Sequence, residues 1–421
     1  MLNKNKKISG ILKSLGPGLL WAGAAIGVSH LVQSTKAGAV YGFALIFIVI
    51  LANLFKYPFF EYGTRYAAST GKTLLNGYME MGRGYFILYI ILTFMTMFTI
   101  QAAVTVVTAG LLSWLFGNAI PILGFVVIIL IFSMILLLWG KYSMLDKFIK
   151  FIIVLLTLTT VIALIAAIGK QGLKLREVTP LPDIWAPAGI MFMIALMGWM
   201  PSAIDISVWS SIWTLEKRKQ TGYKSTLKEA LFDFNLGYIG TSIISLFFLI
   251  LGALVIFGSG KVLSPKGSVF AGQFISIYTE SIGEWSKYII AVAAITTMFS
   301  TTLTCLDAFS RVLERSTKIV FKNKKITYSK NLYFYWMILV FLGTILLLGF
   351  LSGSMGFMVN LATTLSFMTA PVLAVLNFKV VTSPRMPEYA VPPLWLRLLS
   401  WAGIVFLTGF SSIYLYFRFI V

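Results

Sequence analysis

The groups available for chemistry in this 421-residue chain are few: one histidine (His30), one cysteine (Cys305) and 14 acidic residues. With one imidazole, one thiol and few acids, a hydrolytic triad or a structural zinc site is nearly excluded by count. A lone cysteine also leaves no intrachain disulfide. No glycine-rich loop carrying a lysine is present to cradle phosphate, so ATP-driven work within the chain is not expected. Neither an enzyme nor a resident cofactor is indicated. What remains are polar residues set in apolar surroundings. His30 closes the run Gly27-Val28-Ser29-His30, and Asp205 lies four residues beyond Pro201 in Met200-Pro201-Ser202-Ala203-Ile204-Asp205. Lys56 and Glu61 flank Pro58, where a mutual pairing across the kink is expected, and Asp233 and Asp307 stand near the ends of later apolar runs, within reach of loop lysines and arginines.

The elements that must position these groups are membrane helices. The chain is 58% hydrophobic and 11% charged, with a mean hydropathy of +0.90, where a soluble domain carries about 25% charged residues. Apolar runs of roughly 20 residues, each able to cross a hydrocarbon core of about 30 Å, recur along the sequence. They fall at 16–38, 43–62, 84–113, 119–140, 147–168, 186–214, 231–258, 286–310, 331–351, 355–378 and 394–417. With the basic segment 1–15 in the cytoplasm, 25 of the 34 lysines and arginines lie on that side and 8 on the other, Lys56 being within the second span. This is the positive-inside bias. The net charge of +20 is therefore a signature of topology and not of nucleic-acid binding. Eleven spans place the C-terminus outside a bacterial-type cytoplasmic membrane, and the lipid bilayer is the first partner. Between spans seven and eight, Phe270, Phe274, Ile277, Tyr278 and Ile282 recur at helical spacing, which predicts an amphipathic surface helix over Ser268–Trp285.

Two spans differ from the rest. The first runs from Gly16-Pro17-Gly18 through Gly23, Ala24 and Gly27 to His30, Gln33 and Gly38, and the sixth contains Met197-Gly198-Trp199-Met200-Pro201-Ser202. Each is polar in its middle and interrupted by Gly or Pro at membrane depth. Backbone groups freed there cannot face lipid and must line protein or a cavity. Interrupted helices at matching positions of two halves point to a midplane substrate site. Simple glycine-rich packing accounts for Gly16, Gly18 and Gly23 but not for His30, Pro201 and Asp205. Five spans separate the two breaks, the spacing of a five-plus-five inverted repeat.

Further stretches carry a resemblance. Leu15 to Gly38, Tyr41 to Ile46, Leu51-Ala52-Asn53 and Thr70 to Leu74 resemble the opening of the Nramp transporters. Gly198 to Ser202 is similar to that family's sixth span, and Leu115-Phe116-Gly117 with Pro121 to the end of its third. The resemblance implies an all-α membrane protein with a LeuT-like fold. Spans 1–5 (16–168) and 6–10 (186–378) form the inverted repeats, and an extra eleventh transmembrane helix (394–417) follows. It implies secondary transport of ions such as manganese and iron, typically with protons.

The departures from the family bear on the site. Where Nramp transporters have Asp-Pro-Gly-Asn, this chain has Gly27, Val28, Ser29 and His30; where they have Met-Pro-His, it has Met200, Pro201 and Ser202. The anionic ligand is gone, while the thioether remains. The principal proton-carrying Asp of the third span becomes Gln101, and no acid occurs from Tyr85 to Gly110. Imidazole with thioether suits softer metals. A candidate metal set is therefore His30 and Met200, with carbonyls around Ala24 and Met197, and with Gly27, Ser29, Ser202 and Asp205 completing the substrate region. The alternative is that His30 and Met200 are core residues. The reading is a transporter of a divalent metal ion that does without the usual proton coupling. Two others stand beside it: a carrier of a small neutral or zwitterionic solute, and a channel-like relative.

Overall fold

The computed structural model describes residues 16–139, 142–321, 331–351 and 354–419, with 142–153 and 171 described as backbone only. The expected basic segment 1–15, Lys141 and the lysines of 322–330 lie outside the described residues, as do the side chains of Lys147 and Lys150. Fifteen α-helices occur among the described residues. The first span is α1 (Pro17–Ala25), a π-helical segment (Ser29–Ser34) and α2 (Thr35–Tyr41). There follow α3 (Ile46–Thr70), α4 (Leu74–Met81), α5 (Arg83–Leu115), α6 (Ile122–Leu138) and α7 (Tyr142–Gln171). The sixth span is α8 (Pro187–Gly198) and α9 (Ile206–Thr221). The remainder are α10 (Leu227–Val255), α11 (Gly267–Ile282), α12 (Lys287–Val320), α13 (Leu332–Phe350), α14 (Met355–Val381) and α15 (Leu394–Phe419). Every expected span coincides with a helix or a broken pair of helices. Among the described residues, seven helices are long and apolar enough to cross a membrane, including α3, α5, α10 and α14.

Burial separates an inner ring from an outer one. In α5 and in the helix ending at Val320, 67% and 72% of the most apolar stretch is buried, against 17% in α13 and 22% in α15. The last two present most of their apolar surface outward, as lipid-facing helices do. The broken spans lie at the centre. The first packs along α10, and the sixth packs on α3 through α9 and on α14 through α8.

Close approach at the centre depends on glycine. A Cβ on Gly18 would stand 2.0 Å from the Asp233 carbonyl oxygen, and one on Gly237 would stand 2.2 Å from that of Gly18. The start of the first span is fixed chemically as well. The Asp233 carboxylate accepts from the amides of Gly16 (3.1 Å) and Gly18 (2.6 Å), an anion on the positive end of a helix.

Two local expectations are corrected. Lys56 does not pair with Glu61: Glu61 takes Arg65 one turn on, with its Oε1 2.9 Å from Nε, and Lys56 turns to the sixth span. Five residues along a helix put two side chains about 140° apart, whereas four bring them onto one face. The helix foreseen over Ser268–Trp285 forms as α11, but Phe270, Phe274, Ile277 and Tyr278 are buried against α5 and α7 rather than lying on a membrane surface. Asp307 pairs with Arg311 at 2.7 Å, as its place near the end of the eighth span suggested, and also accepts from the Tyr333 hydroxyl at 2.6 Å.

Candidate functional site

The first break is short. α1 stops at Ala25, Ile26 is extended (φ −73°, ψ 93°), and helical geometry resumes at Val28. Gly27 is required because a Cβ there would lie 2.7 Å from the Thr301 hydroxyl of α12. That hydroxyl, at 3.3 Å, is a partner for the Ile26 carbonyl that the break frees. The Ser29 hydroxyl donates to the Ala25 carbonyl at 2.8 Å, so a second freed group is covered from within the span. Of the stretch Gly27–His30, only Gly27 belongs to the break, and Ser29 and His30 begin the π segment.

His30 is fully buried and faces away from the break. Its Nδ1 is 2.7 Å from Ser29 Oγ, its Nε2 is 3.0 Å from the Thr241 carbonyl of α10, and Phe248 meets the ring edge-on. A carbonyl only accepts, so Nε2 carries the proton and Nδ1 of the neutral ring is an acceptor; Ser29 Oγ has a single proton, so its donation to Nδ1 and its donation to the Ala25 carbonyl are alternatives.

The sixth break runs from Trp199 to Asp205. Gly198 is set so tightly on α14 that a Cβ would stand 2.0 Å from the Thr363 carbonyl oxygen. The carbonyls at this break are taken by a side chain from α3. Lys56 Nζ donates to Met197 O at 3.0 Å, Gly198 O at 3.0 Å and Ser202 O at 2.6 Å. Asp205, at the N-cap of α9, makes no side-chain cap bond, and both its buried carboxylate oxygens lack a hydrogen-bond partner. The charge that acts on it is that of the Lys56 ammonium.

Between the breaks is a cavity of about 30 Å³. Ala24, Val28 and Ser29 line it from the first span, Trp199, Ser202 and Ala203 from the sixth, and Thr301 and Cys305 from α12. That volume exceeds what one water requires and suits an ion or a water molecule. The structure thus brings Ala24, Ser29 and Ser202 to one space, with Gly27 beside Thr301 on its edge. His30, Met200 and Asp205 are buried outside the lining, and the Met197 carbonyl faces Lys56. Among the described residues no group of three or more His, Cys, Asp or Glu is placed to hold a metal. Gln101 donates to the Thr302 carbonyl at 3.1 Å, while its own buried oxygen has no partner.

Sequence reasoning missed Lys56 and Thr301 as components of the breaks. The signal for Lys56 was present: a lysine in mid-span whose nearest acid is on another face of the helix needs a partner from elsewhere.

An eleven-span helical bundle with its first and sixth spans broken around a shared cavity is a membrane protein of the LeuT-like transporter fold. The chain belongs to the Nramp family (natural resistance-associated macrophage protein-like), whose profile matches residues 18–417. It is 37% identical over 409 residues to an uncharacterized protein of Pasteurella multocida (strain Pm70), covering 96% of this chain and 92% of that one. Among solved structures it resembles the Eremococcus coleocola manganese transporter, with a TM-score of 0.68 at 16% identity over 96% of this chain and 86% of that chain. It also resembles MhsT in complex with L-phenylalanine, with a TM-score of 0.62 at 14% identity over 96% and 98% of the two chains.

Proposed function

We propose that this chain is a secondary transporter that holds its cargo in the cavity between the two breaks and exposes that cavity alternately to either side of the membrane. The two halves that move against each other are 16–168 and 186–378, with 394–417 standing outside them. The protein is multi-pass and resides in a cytoplasmic membrane, N-terminus inside and C-terminus outside. The observation that carries this reading is the meeting of two interrupted helices at one small cavity.

The cargo is a metal ion. Membership of the Nramp family and the fold shared with a manganese transporter support it, as does a cavity sized for an ion. Ala24, Ser29 and Ser202 provide the first contacts, with Gly27 supplying backbone, while the Met197 carbonyl is taken by Lys56. His30 and Met200 become ligands only when the spans shift, because His30 is held by Ser29 and Thr241. Gln101 replaces the family's proton-carrying Asp, so uptake proceeds without an inward proton gradient.

One observation favours a second cargo, a small neutral or zwitterionic solute: no carboxylate lines the cavity, and a lysine holds the carbonyls on its sixth-span side. An unneutralised divalent charge at membrane depth is costly. Uptake into proteoliposomes of Mn²⁺ and Cd²⁺, against a panel of amino acids, tests both. Saturable metal uptake supports the first reading. Amino-acid uptake unaffected by metal supports the second, and unsaturable flux of either rejects a carrier.

A further inference from the structure

Lys56 sits inside α3, is 0% exposed, and extends to the carbonyls of Met197, Gly198 and Ser202. An ammonium has three N–H donors and no acceptor, whereas a neutral amine would turn its lone pair against one of the three oxygens. Three carbonyl acceptors therefore select the charged form. The surroundings suit a cation in two more ways. The face of Phe60 lies with its centroid 5.7 Å from Nζ. Met197 and Gly198 are the last residues of α8, whose free carbonyls form the negative end of the helix dipole. The opposing charge is Asp205, 2% exposed, with neither carboxylate oxygen engaged in a hydrogen bond.

We propose that Lys56 is the resident cation of the sixth-span break: its ammonium fills, on a tether, a three-carbonyl site that would otherwise take a free monovalent cation, with Asp205 as its counter-charge. The cradle is permanently occupied, so neither an alkali ion nor the transported species uses these oxygens while Lys56 is in place. Shortening the side chain opens a site of the ammonium or alkali-ion class. This inference holds for either cargo, and its test does not depend on transport.

The experiment is thermal unfolding of the full-length protein in detergent, for wild type, Lys56→Ala, Lys56→Met, Asp205→Asn and Lys56→Met/Asp205→Asn. Lys56→Met, nearly equal in volume, is expected to unfold several degrees early, because the break lacks charge and not bulk. The n-propylammonium ion matches the atoms removed in Lys56→Ala and is expected to raise that variant's melting temperature. It should leave wild type unmoved, and neutral 1-propanol, its isostere, should be without effect. Adding Asp205→Asn to Lys56→Met is expected to recover stability by removing an unpaired buried charge, which keeps the test alive if Lys56→Ala does not fold. The inference is overturned if Lys56→Met melts with wild type, if 1-propanol rescues as well as propylammonium, or if Asp205→Asn lowers stability equally in the wild-type and Lys56→Met backgrounds.

Discussion

Asp233 of the seventh span holds the amide of Gly18 at 2.6 Å, so the beginning of the broken first span is anchored by a carboxylate 215 residues away. Removing it in Asp233→Ala leaves two buried amides, those of Gly16 and Gly18, without this acceptor. A loss of about 2 kcal/mol or more is expected, since each charge-assisted bond contributes roughly 1.5–3 kcal/mol. Asp233→Asn keeps one acceptor oxygen and should lose about half as much. Unfolding in detergent measures both; equal stability of Asp233→Ala and wild type would refute the anchor.

Gly198 admits no side chain. With a Cβ 2.0 Å from a backbone oxygen of α14, Gly198→Ala must push the sixth span off its neighbour. Overpacking of this kind costs ~1–3 kcal/mol, and uptake should fall sharply. Gly240→Ala is the control, because nothing lies within 4 Å of its Cβ position. That variant should be as stable as wild type or slightly more so, as alanine is the better helix former.

The third span carries no acid, and Gln101 cannot exchange a proton at neutral pH. Uptake into liposomes at symmetric pH should therefore proceed at a rate similar to that with an acid exterior. Gln101→Glu should introduce a dependence on external pH. Wild-type uptake that stops without a gradient and acidifies the lumen would assign the proton to another group.

Ser29 and Ser202 reach the cavity and His30 does not. In calorimetry with Mn²⁺ and Cd²⁺, Ser202→Ala and Ser29→Ala are expected to weaken binding by ~3- to 10-fold, the weight of a hydrogen-bonding oxygen. His30→Ala should lower the melting temperature through loss of its bonds to Ser29 and Thr241. A loss of binding greater in His30→Ala and Met200→Ala than in the serine variants would instead place the ligands at the thioether and imidazole.

The spans and both breaks were legible because each follows from a local rule: unbroken apolar length for a span, and Gly27 or Pro201 at membrane depth for a break. The Glu61–Arg65 pair could likewise have been read from a spacing of four. What escaped was decided by distant chain. Thr241 lies 211 residues from His30, Thr301 lies 275 residues from Ile26, and Ser202 lies 146 residues from Lys56. None of these partners is marked by periodicity, and each turns a side chain toward or away from the cavity. The family resemblance located the region of the site. It could not locate Lys56, whose role depends on the sixth-span carbonyls that it meets.

The π-helical turn Ser29–Ser34 holds the first span in a form with slack. A hydrogen-bonded ring closed over five residues contains one residue more than the α-helical ring closed over four. If that surplus residue passes along the helix, each position it crosses turns by about 100° and advances by about 1.5 Å, with no net unwinding. Ser29 and His30 stand at the mouth of this turn. The two sides of the helix that they occupy, one on the cavity and one on the seventh span, are therefore separated by a single step of the screw.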